Sequence, residues 1–163
     1  MRPVRTPEII PPERQLPLGT PPGELEKPWQ AWRRRMGFEA VPQAKFGLAF
    51  NESSGPCLTR CDGNDEDLRA AAIRNAQALA AGHVFVLIVR SAYPINLLNA
   101  IRNIPEVCSI FCATANPVEV IVASSEQGRG VMGVIDGSSP KGVEGASDVA
   151  ARKEFLRKIG YKR

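Results

Sequence analysis

The chain has 163 residues, 44% of them hydrophobic and 23% charged, which is typical of one folded domain. The formal net charge is only +4, and no basic stretch alternates with aromatic residues, which argues against a nucleic-acid-binding protein. No apolar run reaches the roughly 18–20 residues of a membrane helix, and no apolar segment follows the N-terminal arginines as in a secretory signal. We therefore expect a cytoplasmic protein without a membrane span.

The first 40 residues differ in composition from the rest of the chain. Eight of the fourteen prolines lie in residues 1–28, where they remove hydrogen-bond donors and restrict the residues before them. We expect residues 1–40 to form a Pro/Arg-rich irregular segment, disordered or aberrant in sequence. Residues 1–28 should form neither a helix nor a β-ladder, and a short helix is expected over Trp29–Phe38. The folded domain is expected to span residues 41–163.

From Lys45 onward the hydrophobic periodicity predicts strands that alternate with helices. Together these elements predict a single α/β domain with a mixed β-sheet and flanking helices. The predicted strands are Phe46–Phe50, Cys57–Cys61, Val84–Val89, Val107–Ala115, Val118–Ser124 and Val131–Ile135. The predicted helices run from an Asn64 cap to Gly82, from Pro94 to before Pro105, and from a Ser147 cap to Gly160. The first helix carries one apolar stripe of Leu68, Ala72, Ala76 and Leu79.

His83 is the only histidine of the chain, and it lies between the expected helix-ending Gly82 and an apolar strand. A neutral imidazole is a nucleophile and proton carrier near neutral pH, since its ordinary pKa is about 6.5. His83 is therefore the candidate catalytic residue. A purely structural histidine at a strand end is the alternative that the position leaves open.

Two motifs suggest sites that the surrounding sequence does not support. Gly128-Arg129-Gly130-Val131-Met132-Gly133 matches a dinucleotide-binding fingerprint, but a strand rather than a helix is predicted after it. The four cysteines form two C-x-x-x-C pairs, a spacing that zinc sites rarely use. We expect reduced thiols without metal at Cys57, Cys61, Cys108 and Cys112.

Three polar loops at strand ends are the candidate ligand-binding segments: Asn51–Gly55, Thr114–Asn116 and Asp136–Lys141. Hydroxyls, backbone N–H groups and a lysine can hold phosphate, and a carboxylate can hold magnesium beside substrate phosphates. Asp136 is the predicted metal ligand. The predicted nucleotide- and substrate-binding residues are Glu52, Ser54, Gly55, Asn96, Thr114, Asn116, Arg129 and Lys141.

The chain resembles the adenosine-specific kinases, a family of small archaeal and bacterial proteins, over about residues 45–163. The resemblance rests on the segments KFGLAFNESSGPCL, DGNDEDL, AGHVFV, YPINLLNAI, PEVCSIFCATANPVEVIVA, EQGRGVMGVIDGSSPKGVE and RKEFLRKIGYK. It implies binding of adenosine or AMP, a homotrimer with ligand clefts between subunits, and a phosphorylated histidine that falls on His83.

The resemblance also implies a mechanism. His83 takes a phosphoryl group from ATP with Mg²⁺ and passes it to adenosine, while Arg129 and Lys141 supply positive charge. The alternative is a non-catalytic oligomer that binds adenosine or AMP and is regulated by histidine phosphorylation. Residues 1–40 do not match the opening strand and helix of the family, which suggests a shifted reading frame or a mis-called start rather than a genuine replacement domain.

Overall fold

The computed structural model describes Val4–Thr6 and residues 34–158, and in these parts six strands form two antiparallel three-stranded sheets. One sheet has the order β1-β5-β6, with β1 at Val4–Thr6, β5 at Val118–Ser124 and β6 at Arg129–Asp136. The other has the order β3-β2-β4, with β2 at Lys45–Asn51, β3 at Thr59–Gly63 and β4 at Phe85–Arg90. The helices are α1 at Glu66–Leu79, α2 at Pro94–Arg102 and α3 at Ala146–Lys158, and a 3-10 turn spans Phe38–Ala40. The predicted α/β class is confirmed.

Helix α1 packs across β2 with the predicted stripe of Leu68, Ala72, Ala76 and Leu79 buried. The approach is close because Gly47 has no side chain, and a Cβ there would lie 2.2 Å from the carbonyl carbon of Leu68. The predicted cap is wrong by one residue, because Asp65 accepts from the Leu68 N–H at 3.1 Å.

Asn64, the predicted cap of that helix, instead fastens the start of β2. Its Oδ1 accepts from the Phe46 N–H at 2.8 Å, and its Nδ2 donates to the Ala44 carbonyl at 3.2 Å.

The two faces of β2 separate the core into two clusters, as its period of two requires. Ala49 joins the cluster under α1, which extends to the β5 side chains. Phe46, Leu48 and Phe50 join the cluster under α2. This second cluster also contains Met36 and Phe38, which precede the expected domain start at residue 41 and are fully buried.

The N-terminal segment departs from expectation at Val4–Thr6. These three residues pair antiparallel with Val118–Val120 at the edge of the first sheet. The expectation of no β-ladder before residue 29 is therefore wrong for this triplet, which lies between Pro3 and Pro7 and contains no proline itself. Residues 7–33, and with them the first half of the predicted helix Trp29–Phe38, lie outside the described part, so the domain division stays a prediction.

Two later predictions are also wrong. Residues 107–115 form a loop rather than a strand, because Val107, Ile110 and Ala113, spaced by three, pack beside the second cluster. The last helix begins at Ala146, before the predicted cap Ser147, and its first turn is closed by Asp148, whose Oδ2 accepts from the Gly145 N–H at 2.9 Å. Its predicted end at Gly160 lies outside the described residues.

Candidate functional site

A cavity of about 700 Å³ opens where the end of α1, the end of β2 and the β5–β6 turn meet. The two sheets are connected at this point by a parallel bridge between Ala81 and Arg129. The volume lies within the range of small-molecule sites in proteins. The cavity is lined by Asn51, Glu52, Ser53, Cys57, Thr59, Gln77, Ala80, Ala81, Gly82, Ala123, Ser124, Ser125, Gln127, Gly128, Arg129 and Gly130.

One wall of the cavity is a strained turn that follows α1. Ala80 and His83 adopt the left-handed conformation at φ 49° and φ 53°, although neither is glycine. Gly82, where a left-handed helix end was predicted, instead allows close packing, since a Cβ there would lie 2.6 Å from Ser53 Cβ. Such strained backbone persists only where its surroundings hold it, and it occurs often at ligand sites.

Asn51 connects this turn to the rest of the fold, and its side chain is a buried part of the wall with 7% residue exposure. Its Nδ2 donates to the carbonyl oxygens of Ala76 at 2.8 Å and Ala81 at 3.1 Å. The Thr59 hydroxyl donates to Asn51 Oδ1 at 2.8 Å. Sequence reasoning identified Asn51 only as the start of a polar loop, because its partners lie 25 and 30 residues away.

The charges at the cavity are few and compensated. Glu52 is the only carboxylate among the lining residues, and it forms an ion pair with Arg60. Arg129 is the only cation among them, and its Nη1 donates to the Ala78 carbonyl at 3.1 Å, at the negative end of the α1 dipole. Its Nε is buried and has no hydrogen-bond partner among the described residues.

His83 lies directly behind this wall rather than among the lining side chains. Its backbone N–H donates to the Asn51 carbonyl at 2.8 Å. Its ring is nearly parallel to that of Phe50, with the two centroids 6.1 Å apart, and Phe50 packs in the cluster under α2. The Nε2 atom is shielded from solvent and has no partner in the part of the chain that the structure describes.

The other predicted site residues lie at different positions in the fold, and none of them lines the cavity. Ser54 and Gly55 belong to the exposed turn beside Glu52, next to the cavity. Asn96 closes the first turn of α2, where its Oδ1 accepts from the Tyr93 N–H at 2.9 Å. Lys141 is exposed in the loop before α3.

Thr114, Asn116 and Asp136 form a cluster of their own at the far end of the β5–β6 hairpin. Asn116 Nδ2 donates to Asp136 Oδ1 at 3.0 Å, and the Asn116 N–H donates to Thr114 Oγ1 at 3.1 Å. Strands of seven and eight residues place this cluster roughly 20 Å from the hairpin turn at the cavity. The site assignments of these three residues stay predictions, and within one chain they are not part of the cavity.

A magnesium ion held by protein ligands does not fit the cavity. Glu52, its only lining carboxylate, is paired with Arg60, and Asp136 lies at the other end of the hairpin. No group of three or more His, Cys, Asp or Glu side chains suited to a metal occurs among the described residues.

The cysteines are spread over different environments. All four thiols are unbridged; Cys57, Cys61 and Cys108 are exposed, whereas Cys112 is buried. Burial raises the pKa of the Cys112 thiol, and the nearby Asp136 carboxylate raises it further. Cys57 lines the cavity in a left-handed conformation with φ 52°. That they bind no metal stays a prediction.

These features define an α/β domain with a ligand-sized cavity of mixed polar and apolar lining between its two sheets. Residues 34–162 match the family model described as adenosine specific kinase, and the chain belongs to that family. The fold is similar to the PH1918 protein from Pyrococcus horikoshii OT3, with a TM-score of 0.80 and 40% sequence identity over 99% of this chain and 98% of that one. A comparison with curated proteins gives no match. Within the described ranges, no helix has both the length and the apolar character needed to cross a membrane.

Proposed function

We propose that this protein binds adenosine or AMP in the cavity and transfers a phosphoryl group from ATP to adenosine. The observation that carries the proposal is a ligand-sized cavity whose lining mixes polar and apolar groups and includes one carboxylate and one guanidinium, in a chain of the adenosine-specific kinase family. Neutral hydrogen-bonding groups such as Ser124, Ser125 and Gln127 suit a nucleoside, whose base and ribose are polar but uncharged.

The two charged residues have distinct proposed roles. Glu52 accepts hydrogen bonds from ribose hydroxyls, while its pairing with Arg60 compensates the carboxylate charge. Arg129 faces the phosphate, because its guanidinium is anchored at Ala78 and its Nε has no partner among the described residues. Ser54 and Gly55 orient the ligand from the adjoining turn.

His83 is the proposed phosphoryl carrier. A ring nitrogen attacks the terminal phosphorus of ATP, a P–N bond forms, and ADP leaves. The 5′-hydroxyl of adenosine then attacks the same phosphorus, loses its proton to solvent, and the P–N bond breaks. Because the ring lies behind the wall against Phe50, this route requires the Gly82–His83 turn to swing the ring toward the cavity.

The carrier role is tested by labelling the full chain with ATP and magnesium. Intact mass should show one added phosphate that is labile in acid and stable in base, and His83→Ala should abolish it. Label that survives in His83→Ala shows that another side chain carries the phosphate and removes His83 from the mechanism. Magnesium is proposed as the counter-ion of ATP, so chelation should abolish labelling without changing the fold.

A second function, a binding module without turnover, has one observation in its favour. The cavity offers a triphosphate only one cation, Arg129, and the Nε2 of His83 is shielded. Ligand affinities from calorimetry, together with the labelling experiment, distinguish the kinase from the binding module. The binding module predicts tight binding of adenosine or AMP, weak binding of ATP, and no product AMP.

We also propose that the protein acts as a homotrimer. No residue from Arg129 to Lys158 is buried, although this stretch includes a full strand and a 13-residue helix. A helix of that length is only marginally stable in water unless its apolar residues pack against something. A neighbouring copy that covers this stretch can also bring Thr114, Asn116 and Lys141 to the cavity that they do not reach within one chain.

A further inference from the structure

We propose that Asn51 is a positioning residue that holds the His83 turn in its strained conformation. The inference rests on the proposed role of His83. Asn51 itself is not proposed to bind phosphate or adenosine, because both its amide nitrogen and its amide oxygen already form hydrogen bonds within the protein.

The hydrogen bonds of Asn51 enclose the turn from both ends. Its two amide hydrogens reach the Ala76 and Ala81 carbonyl oxygens at 2.8 and 3.1 Å, and so join the last turn of α1 to the residue after Ala80. Its backbone carbonyl accepts from the His83 N–H at 2.8 Å, and its own N–H donates to the Val84 carbonyl at 3.0 Å. One residue therefore fixes the chain before, within and after the turn.

The turn needs these hydrogen bonds because two of its residues have backbone angles that are unfavourable for them. Ala80 and His83 are both left-handed, a backbone conformation that is unfavourable for residues other than glycine. Without the Asn51 amide, the Ala81 carbonyl loses its side-chain donor and the turn can relax to ordinary backbone angles. The His83 ring would then leave Phe50.

The chemistry of the site admits few other side chains. A leucine of similar size leaves the two carbonyls without their donor, and an aspartate places a negative charge against them. The Ala76 and Ala81 carbonyl oxygens can only accept, so they require the NH₂ end of the amide toward the helix, and the Thr59 hydroxyl donates to Oδ1 at the other end.

Asn64 provides a matched control at the other end of β2. It is a half-buried asparagine. Its Oδ1 accepts from the Phe46 N–H at 2.8 Å, and its Nδ2 donates to the Ala44 carbonyl at 3.2 Å. Asn51→Ala and Asn64→Ala should thus both lower stability. Only the first removes contacts to the His83 turn.

The experiment compares the two variants by NMR, where the single histidine gives unambiguous imidazole signals. In Asn51→Ala, exchange of the His83 amide hydrogen should accelerate at least about tenfold beyond the global loss of stability, and contacts between the His83 and Phe50 rings should vanish. In Asn64→Ala, His83 exchange should only follow global stability, and the ring contacts should persist. Because the ring must leave Phe50 to reach the cavity, His83 phosphorylation should become faster in the first variant and stay unchanged in the second.

Unchanged His83 exchange and ring contacts in a folded Asn51→Ala overturn the proposal. If that variant does not fold, Thr59→Val takes its place, with a smaller change of the same kind expected and no local change as the contrary result. Should the wild-type protein take up no phosphate, the proposed function of His83 fails while the exchange data still decide whether Asn51 holds the turn.

Discussion

Glu52 is the residue on which we expect ligand choice to depend. One of its oxygens pairs with Arg60, and no described residue forms a hydrogen bond or ion pair with the other, which leaves it for ribose hydroxyls. Glu52→Gln should weaken adenosine binding about tenfold or more, since hydrogen bonds to a charged group contribute about 1.5–3 kcal/mol. The same change should affect 2′-deoxyadenosine less, as measured by calorimetry.

The control for this change is Glu39→Gln, which alters an exposed carboxylate outside the cavity lining. If Glu52→Gln lowers the affinity for adenosine and for its 2′-deoxy analogue equally, Glu52 does not bind the 2′-hydroxyl of the ribose.

Glu106 gives a pH-dependent prediction at the residue scale. The Arg35 guanidinium donates to it at 2.5 Å and lowers the pKa of this carboxyl below its usual value. A lowered folded-state pKa stabilises the protein above the unfolded-state value of about 4.3, and this stabilisation is lost as the pH falls through the folded-state pKa. Glu106→Gln should therefore lower stability at pH 7 by up to about 1 kcal/mol, because the pair is partly exposed.

Urea unfolding at several pH values measures the Glu106 effect. The difference between wild type and Glu106→Gln should shrink toward zero below about pH 4. A difference that is constant with pH would indicate lost packing rather than a lost ion pair.

Sequence reasoning found the charged residues of the cavity but not the residue that shapes its wall. Glu52 and Arg129 are recognisable because a lone charge at a strand end suggests a ligand. The role of Asn51 depends on carbonyls of a helix that follows it by 25 residues, which no local pattern reveals. His83 was correctly placed beside the turn, but its stacking on Phe50 depends on the register of β2 with β4.

At the scale of elements, the packing of α1 on β2 depends on Gly47. A Cβ at this position would meet Leu68 and Arg69 backbone atoms at 2.2–2.3 Å, and backbone cannot move aside as a flexible side chain can. Gly47→Ala should thus lower the free energy of unfolding by about 2–3 kcal/mol. It should also impair ligand binding, because α1 carries one wall of the cavity.

Gly133→Ala is the matched control, since a Cβ at this β6 position meets no atom within 4 Å. Its stability should change by less than about 0.5 kcal/mol in denaturant unfolding. If the two variants lose the same stability, the close approach of α1 is not what requires glycine at residue 47.

Elements with a clear period were predictable, and those determined by distant contacts were not. The stripe of α1 and the strand Val118–Ser124 follow from local pattern alone and are confirmed. Residues 107–115 are as apolar as a strand, but every third residue among them, at Val107, Ile110 and Ala113, packs against the cluster under α2. The left-handed helix end falls on Ala80 rather than Gly82, because Asn51 and Ser53 fix the turn.

At the scale of the whole molecule, the exposure of α3 and of the loop before it predicts association. Light scattering coupled to gel filtration should give three times the 17.7 kDa of one chain. Phe155 on α3 is 58% exposed, so Phe155→Ser should shift the protein toward smaller species. Leu58→Ser, at a side chain 65% exposed in the β2–β3 turn, is the control and should leave the mass unchanged.

A monomeric wild-type protein would contradict this proposal. It would also leave Thr114, Asn116 and Lys141 without a way to reach the cavity. The overall α/β class was predictable from the order of elements, whereas the division into two sheets and the pairing of Val4–Thr6 with β5 were not. Three residues between prolines carry too little pattern to indicate a strand.

The central claim is that this protein phosphorylates adenosine, and the most direct test is transfer of labelled phosphate from [γ-³²P]ATP. The full-length protein is incubated with ATP, magnesium and adenosine, and the products are separated by chromatography. Labelled AMP should accumulate over many turnovers, with inosine and 2′-deoxyadenosine as poorer acceptors. Label that appears only on the protein, or no labelled AMP at saturating adenosine, would contradict the claim and leave a binding protein.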